Sequence, residues 1–139
     1  MTPELVFSVV NPFATLGWLA LVALPGRPFA QRAALSVVAL LAALYLVLLA
    51  SQLGAMEGGF GTLEQLAVLF HSPWVLLAGW VHYLAFDLFI GAWEARDARR
   101  RGVPHWALVP CLALTFLVGP VGLLSWLGVR AVAGRPRAP

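Results

Sequence analysis

Apolar residues occupy four long stretches of the chain, and short segments between them carry most of its charges. The stretches cover about residues 5–24, 33–53, 73–93 and 106–129. Each is close to the 20 or so apolar residues that an α-helix needs to cross the hydrocarbon core of a bilayer. The pattern therefore predicts an all-α fold, an integral membrane bundle of about four transmembrane helices in a single domain.

Proline and glycine mark the ends and the weak points of these helices. The first helix is predicted to end at Pro25-Gly26-Arg27-Pro28, and the third to begin at Pro73, because proline is tolerated in a first turn and breaks a helix interior. A glycine-rich loop over 54–61 is followed by a short apolar stretch, 62–70, which either lies in the membrane interface or begins the third helix. Gly119-Pro120 predicts a kink or break near the middle of the fourth stretch.

Composition agrees with a membrane environment. The 139 residues are 61% hydrophobic and 11% charged, whereas a soluble domain carries about 25% charged residues. A chain of this length could not bury so much apolar surface in water. The basic residues are all arginines between apolar stretches, without a basic face or an aromatic platform, so we expect the lipid bilayer as partner and no nucleic acid.

The arginines also predict an orientation. They occur in the first loop (Arg27, Arg32) and the third loop (96–101) but not in the second, which favours a cytoplasmic position for the first and third loops and an N-terminus outside. A fourth full span would then place the arginines of the tail outside: Arg130, Arg135 and Arg137. Either the tail is an exception or the chain re-enters at Gly119-Pro120, and we favour four full spans.

Asp87 is the most informative polar residue, because it lies inside the third apolar stretch. A lone carboxylate in hydrocarbon is costly and either takes up a proton or finds a partner. Both outcomes permit chemistry, since a neutral acid can donate a proton and a carboxylate can accept one. The structural alternative is an ion pair or hydrogen bond that locks Asp87 to another helix, and the sequence leaves both interpretations open.

Helical spacing arranges other polar residues around Asp87. Trp80, Tyr83 and Glu94 fall on the same helix face. Glu94 is near the end of the predicted span, where we expect it to be solvated. His82 is about 140° away from Asp87 around the helix, so we expect it to point toward a different neighbour or to flank a groove from the other side.

Aromatic and amide side chains complete the set of candidates. Trp18, Trp74, Trp93, Trp106 and Trp126 mostly fall near predicted span ends and are interpreted as interface anchors, whereas Trp80 is deep enough to stack on a flat or polyene ligand. Asn11 precedes Pro12, which frees a backbone carbonyl inside the first helix. Asn11 either repairs this kink or makes a polar contact with a substrate hydroxyl or with Asp87.

Several kinds of site are not indicated by the sequence. No His-x-x-x-His or Glu-x-x-His pair, typical of metal sites on helices, occurs, and we expect no metal. A phosphate-binding glycine loop and a Gly-x-Ser-x-Gly motif are also missing, and no cofactor is expected. The single cysteine, Cys111, excludes an internal disulfide.

Three groups of sequence motifs, spread over nearly the whole chain, resemble those of the ABA-deficient-four-like family of small membrane proteins. They are Asn11-Pro12-Phe13 with Trp18 and Pro25; Gly59-Phe60-Gly61-Thr62-Leu63, Gly79-Trp80-Val81-His82-Tyr83-Leu84-Ala85-Phe86-Asp87-Leu88 and Gly91-Ala92-Trp93; and Pro110-Cys111-Leu112 with Gly119-Pro120-Val121-Gly122-Leu123-Leu124 and Arg130. Plant members are associated with neoxanthin synthesis. Because the chain shows neither a plastid import extension nor a positive signal-peptide segment, we expect a multi-pass protein of a bacterial inner membrane.

The resemblance implies a redox-neutral isomerisation, in which an epoxide at the end of a carotenoid opens and an allene forms. We therefore predict a membrane-embedded carotenoid or isoprenoid isomerase, with Asp87 and His82 as catalytic residues and Asn11, Trp80 and Tyr83 as substrate-binding residues. One alternative is a non-catalytic carotenoid-binding or enzyme-supporting subunit. Another is a small transporter, although no inverted repeat is evident. The thin interior of so small a bundle also leaves room for a site at the interface of a homo-oligomer.

Overall fold

The computed structural model describes residues 2–24 and 26–133, which form six α-helices without a strand. The helices are α1 (Pro3–Ala23), α2 (Pro28–Gln52), α3 (Leu63–Phe70), α4 (Pro73–Arg101), α5 (His105–Val118) and α6 (Pro120–Ala133). The predicted all-α class is confirmed. Three helices, α1, α2 and α4, are long and apolar enough to cross a membrane. Pro25, which belongs to the predicted helix breaker, and the tail arginines Arg135 and Arg137 lie outside the described residues.

Local sequence explains where the helices begin and end. The hydroxyl groups of Thr2 and Thr62 accept hydrogen bonds from the first turns of α1 and α3, which is the preferred N-cap arrangement. Helix α4 ends at Gly102, whose φ of 67° suits glycine. It continues eight residues past the predicted boundary at residue 93, and three arginines in its last turn favour the negative end of the helix dipole.

Helices α1, α2 and α4 pack around a shared apolar core. Small residues allow close approach: Gly17 of α1 lies against Leu88, and Gly91 of α4 lies against the ring of Trp18. Trp18 is only 5% exposed and packs edge-on to Phe116. Its expected role as an interface anchor is therefore wrong, because Gly91 opens a slot in the core that the indole fills.

The fourth apolar stretch is a hairpin of two helices rather than one span. Helix α5 ends at Val118, and α6 begins at Pro120 and turns back along it, with Gly122 directly against Thr115. The start of α5, at Trp106, and the end of α6, at Val132, line the same cavity. Each helix has 14 residues, or about 21 Å, which is shorter than a hydrocarbon core of about 30 Å.

The predicted break at Gly119-Pro120 is therefore present, but it reverses the chain. Gly119 has φ 29° and ψ −87°, far from helical values, and Pro120 has no N–H with which to continue α5. The single helix predicted over 106–129 is replaced by a hairpin, the geometry that the re-entrant alternative requires. At the tip of the hairpin, Gly119 is buried against Asp87 of α4, whereas Val118 and Pro120 beside it are exposed.

The described arginines gather at one end of the bundle. Arg99 donates a hydrogen bond to the Gly26 carbonyl at 3.0 Å, which joins the third loop to the first. Asp97 binds Arg101 at 2.9 Å and Arg130 at 3.2 Å. Arg130 of the hairpin therefore lies with the arginines of the third loop and not at the opposite end.

Candidate functional site

Asp87 faces the tip of the re-entrant hairpin. Its two carboxylate oxygens lie 2.8 and 3.0 Å from the point that a Cβ of Gly119 would occupy. Only glycine leaves space for the carboxyl group at this turn. The Oδ2 atom is buried and makes no hydrogen bond within the described part of the chain. The carboxyl group thus lies beside the non-helical backbone between α5 and α6. Membrane proteins tolerate non-helical backbone at membrane depth only where it is buried in protein or lines a cavity.

An aromatic stripe continues from Asp87 along α4. Tyr83 lies one turn before Asp87 on the same face of α4, and its phenol donates a hydrogen bond at 3.5 Å to the Leu117 carbonyl of α5. The Tyr83 ring stacks on Trp80 with ring centroids 5.2 Å apart, and Trp80 packs at 5.7 Å against Phe7 of α1. The structure therefore brings Asp87, Tyr83 and Trp80 together in one continuous row.

Asn11 holds this row to α1. Its side-chain oxygen accepts a hydrogen bond from Trp80 Nε1 at 2.9 Å, and its amide nitrogen donates to the Phe7 carbonyl at 2.7 Å. The Asn11 side chain therefore bonds within α1 and fixes the indole of Trp80. The carbonyl that Pro12 frees is that of Ser8, four residues before the proline. Its contact is with Trp80 and not with Asp87.

The row begins at an apolar groove between the first turns of α1 and α4. The groove has a volume of about 340 Å³, and Pro3, Phe7, Leu76 and Trp80 are among its lining residues. Trp80 is 38% exposed there. Since apolar clefts with a few polar groups are the usual form of small-molecule sites, this groove is a suitable entrance for a lipid-soluble ligand.

His82 lies on the other side of α4. Its ring stacks on Phe86 with centroids 4.5 Å apart and packs at 5.6 Å against Tyr45 of α2. It lines a separate cavity of about 540 Å³ together with residues of α2 and α3 such as Leu53 and Phe70. The structure thus does not bring His82 and Asp87 into one cavity, and the pairing of the two in catalysis stays a prediction from the sequence.

Glu94 is another residue whose environment was predicted wrongly. The structure buries its side chain completely, whereas a solvated position was expected. Thr115 Oγ1 of α5 donates a hydrogen bond to Glu94 Oε1 at 2.9 Å, and Oε2 is buried without a partner among the described residues. The error arose because α4 is longer than its apolar stretch and because the folded-back hairpin covers it.

Trp126 completes this interior. It is also fully buried, and its indole nitrogen has no hydrogen-bond acceptor in the described part of the chain. The expected position as an interface anchor is wrong, since the hairpin turns α6 inward. Two signals could have found these residues: the polar Thr115 at membrane depth, and the spacing of seven that puts Glu94 on the face of Asp87.

The arrangement can hold and transfer protons in a water-poor interior. It offers two carboxyl groups on one face of α4, a phenol beside the first, and a hydroxyl bound to the second. Within residues 2–24 and 26–133, no group of three or more His, Cys, Asp or Glu side chains could hold a metal ion.

Comparison with known proteins gives one match. The family model described as ABA DEFICIENT 4-like matches residues 5–126, which is most of the chain and includes all the residues of the row and the hairpin tip. No curated protein and no solved structure matches the sequence.

Proposed function

The chain belongs to the ABA DEFICIENT 4-like family, and from this premise we propose that it is a membrane-embedded isomerase that acts on a carotenoid or another isoprenoid. Family membership hints at a neoxanthin-synthase-like role. The reaction class is a redox-neutral rearrangement, such as the opening of an end-group epoxide to an allenic alcohol.

The observation that carries the proposal is the position of Asp87. The carboxyl group meets the glycine at the hairpin tip and lies at the inner end of an aromatic row that starts at an apolar groove. A polyene end group entering at Trp80 would pass Tyr83 before it reached Asp87. The row thus offers π faces to an apolar ligand and an acid at its end.

One carboxyl group could supply both proton transfers. In its neutral form Asp87 donates a proton to the epoxide oxygen as the carbon–oxygen bond breaks. The carboxylate that results then removes a proton from the adjacent polyene carbon, the electrons of that carbon–hydrogen bond form the new double bond, and the acid is restored. No proton or electron is gained or lost overall, so the step is balanced without a co-reactant.

Pigment analysis in a bacterial host that makes violaxanthin would test the proposal. We expect a new pigment of unchanged mass with the natural chain, and none with Asp87→Asn. Glu64→Gln is the matched control, since it makes the same carboxyl-to-amide change at an exposed residue. Unchanged pigment beside well-folded protein, or full product with Asp87→Asn, would contradict the proposal.

The second candidate is a non-catalytic carotenoid-binding subunit. It is favoured by the groove itself, whose lining is mostly apolar and whose Trp80 is held by Asn11. This function would give co-purification of pigment without chemical change. Loss of the bound pigment in Trp80→Ala, with equal retention by Asp87→Asn, would support it over the isomerase.

A further inference from the structure

A polar cavity lies at the arginine-rich end of the bundle, away from Asp87. It has a volume of about 220 Å³ and is lined by the turn between α1 and α2 and by the end of α4. Arg27 and Arg32 enter it from the start of α2, and Arg96 and Arg99 from α4. Four arginine side chains thus line one concave surface, and Nη1 of Arg99 donates a hydrogen bond to the Gly26 carbonyl beside it.

The charge of this cavity is uncompensated. No Asp or Glu belongs to its lining. Within the described residues, the ion pairs at this end join Asp97 to Arg101 and Arg130, and none joins a cavity arginine to a carboxylate. Like charges held together repel each other, so a bound anion would stabilise the arrangement.

Among the described residues at the cavity, a side-chain amide has no hydrogen-bond partner and the start of α2 has no side-chain cap. The side-chain nitrogen of Gln31 is buried and has no partner among the described residues, although Gln31 lines the cavity. Helix α2 begins here with Arg27 as N-cap and has no side-chain cap hydrogen bond. The positive end of a helix dipole therefore faces the same space as the arginines, with Gln31 among the lining residues.

We propose that this cavity binds a phosphate group, and that its source is the headgroup of an anionic phospholipid. Arginine is suited to phosphate because its planar fork can bind two oxygens at once. The cavity lies where the membrane-crossing helices end, the depth at which headgroups lie. Basic pockets between transmembrane helices are typical sites for such headgroups.

The arginines could instead serve orientation alone, as the sequence pattern implies. Orientation depends on charge in the loops and needs neither a concave arrangement nor a neutral amide. Gln31 therefore separates the two interpretations. Gln31→Leu removes the side-chain amide of a lining residue while every arginine stays in place.

The test measures binding of two probes to the purified full chain in neutral detergent. Phosphatidylglycerol is titrated and its retention followed by native mass spectrometry, and inorganic pyrophosphate is titrated in parallel by thermal unfolding. The variants are Gln31→Leu and Arg96→Gln. Arg100→Gln is the matched control, because it removes the same charge from the same helix at an exposed residue that does not line the cavity.

We expect Arg96→Gln to bind phosphatidylglycerol about tenfold or more weakly, and Gln31→Leu a few-fold more weakly, while Arg100→Gln binds as the natural chain does. Pyrophosphate binding with the same variant pattern, and without lipid binding, would assign the site to a soluble phosphate and overturn the lipid source. Equal losses in Arg96→Gln and Arg100→Gln, or no binding of either probe, would overturn the site. Arg96→Lys keeps the charge and guards against misfolding, and it should still weaken binding.

Discussion

At the scale of single residues, the interior of this protein is held by few and specific polar contacts. Thr115 to Glu94 is the one hydrogen bond in the described residues that joins two completely buried polar side chains. Burying a carboxyl group without such a donor is costly, because no water replaces it. This bond joins α5 of the hairpin to α4, two turns after Asp87 along the same helix.

Thr115→Val should therefore destabilise the protein. Valine has the same shape but no hydroxyl group, so Glu94 would lose its donor at a cost of about 1–3 kcal/mol. Thr115→Ser keeps the hydroxyl and should recover most of the loss. Unfolding in mixed micelles measures both variants, and equal stability of Thr115→Val and the natural chain would show that the bond contributes nothing.

The positions of His82 and Tyr83 lead to an order of effects on isomerase activity. Tyr83 lies one turn before Asp87 on the same face of α4, whereas His82 lines a separate cavity. We expect Tyr83→Phe to lower activity more than His82→Gln, and Asp87→Asn to lower it most. Product formation per unit of folded protein measures this order. A loss in His82→Gln as large as that in Asp87→Asn would restore the catalytic pair expected from the sequence.

The residues of the site were predictable to the extent that helical spacing determines a face. The row of Trp80, Tyr83 and Asp87 follows from positions on one helix, and the structure holds it together. The partner of Asn11 and the burial of Glu94 depend on contacts between helices far apart in sequence. Spacing places Glu94 on the face of Asp87, but no local pattern indicates which helix covers that face.

At the scale of helices, the hairpin of α5 and α6 is the decisive element. Its two helices approach closely because Gly122 has no side chain where it meets Thr115. Small residues permit such contacts between membrane helices. The hairpin tip supplies the non-helical backbone that faces Asp87.

Gly122→Ala should loosen the hairpin. A methyl group there would collide with the backbone of Thr115, and overpacking of this kind costs about 1–3 kcal/mol or more. Gly128→Ala is the matched control on the same helix, because nothing lies within 4 Å of its added Cβ. It should be neutral or stabilising by up to about 1 kcal/mol. Similar melting temperatures for both variants would contradict this packing.

The helices themselves could be predicted well from apolar length, but the reversal at Gly119 could not. A Gly-Pro pair indicates that a helix is interrupted, and either a kink or a hairpin satisfies that signal. The choice depends on packing: Gly122 fits Thr115, and Trp126 fills the interior that results. Only the folded arrangement distinguishes a full span from re-entry.

At the scale of the whole molecule, the hairpin removes the conflict in the arginine pattern. The three helices long enough to cross a membrane place the first and third loops at one end, and the hairpin returns Arg130 to that end, where it binds Asp97. The orientation rule for positive residues then applies to every described arginine. The second loop, with Glu57, lies at the other end.

Cysteine labelling would test this arrangement. In a chain with Cys111→Ala, single cysteines at Pro104, Val132 and Ala55 report on the third loop, the end of α6 and the second loop, all of which are exposed. We expect an impermeant maleimide to label Pro104→Cys and Val132→Cys from one side of the membrane, and Ala55→Cys from the other. Labelling of Val132→Cys from the side of Ala55→Cys would establish a fourth full span.

The role of Asp87 in an isomerase is tested most directly with purified protein in vesicles that contain violaxanthin. We expect conversion of violaxanthin to a product of unchanged mass without any added cofactor. We also expect Asp87→Asn to convert violaxanthin about 10²–10⁴-fold more slowly and Glu64→Gln to convert it at the natural rate. Conversion by Asp87→Asn at the natural rate would contradict the role of Asp87 in an isomerase.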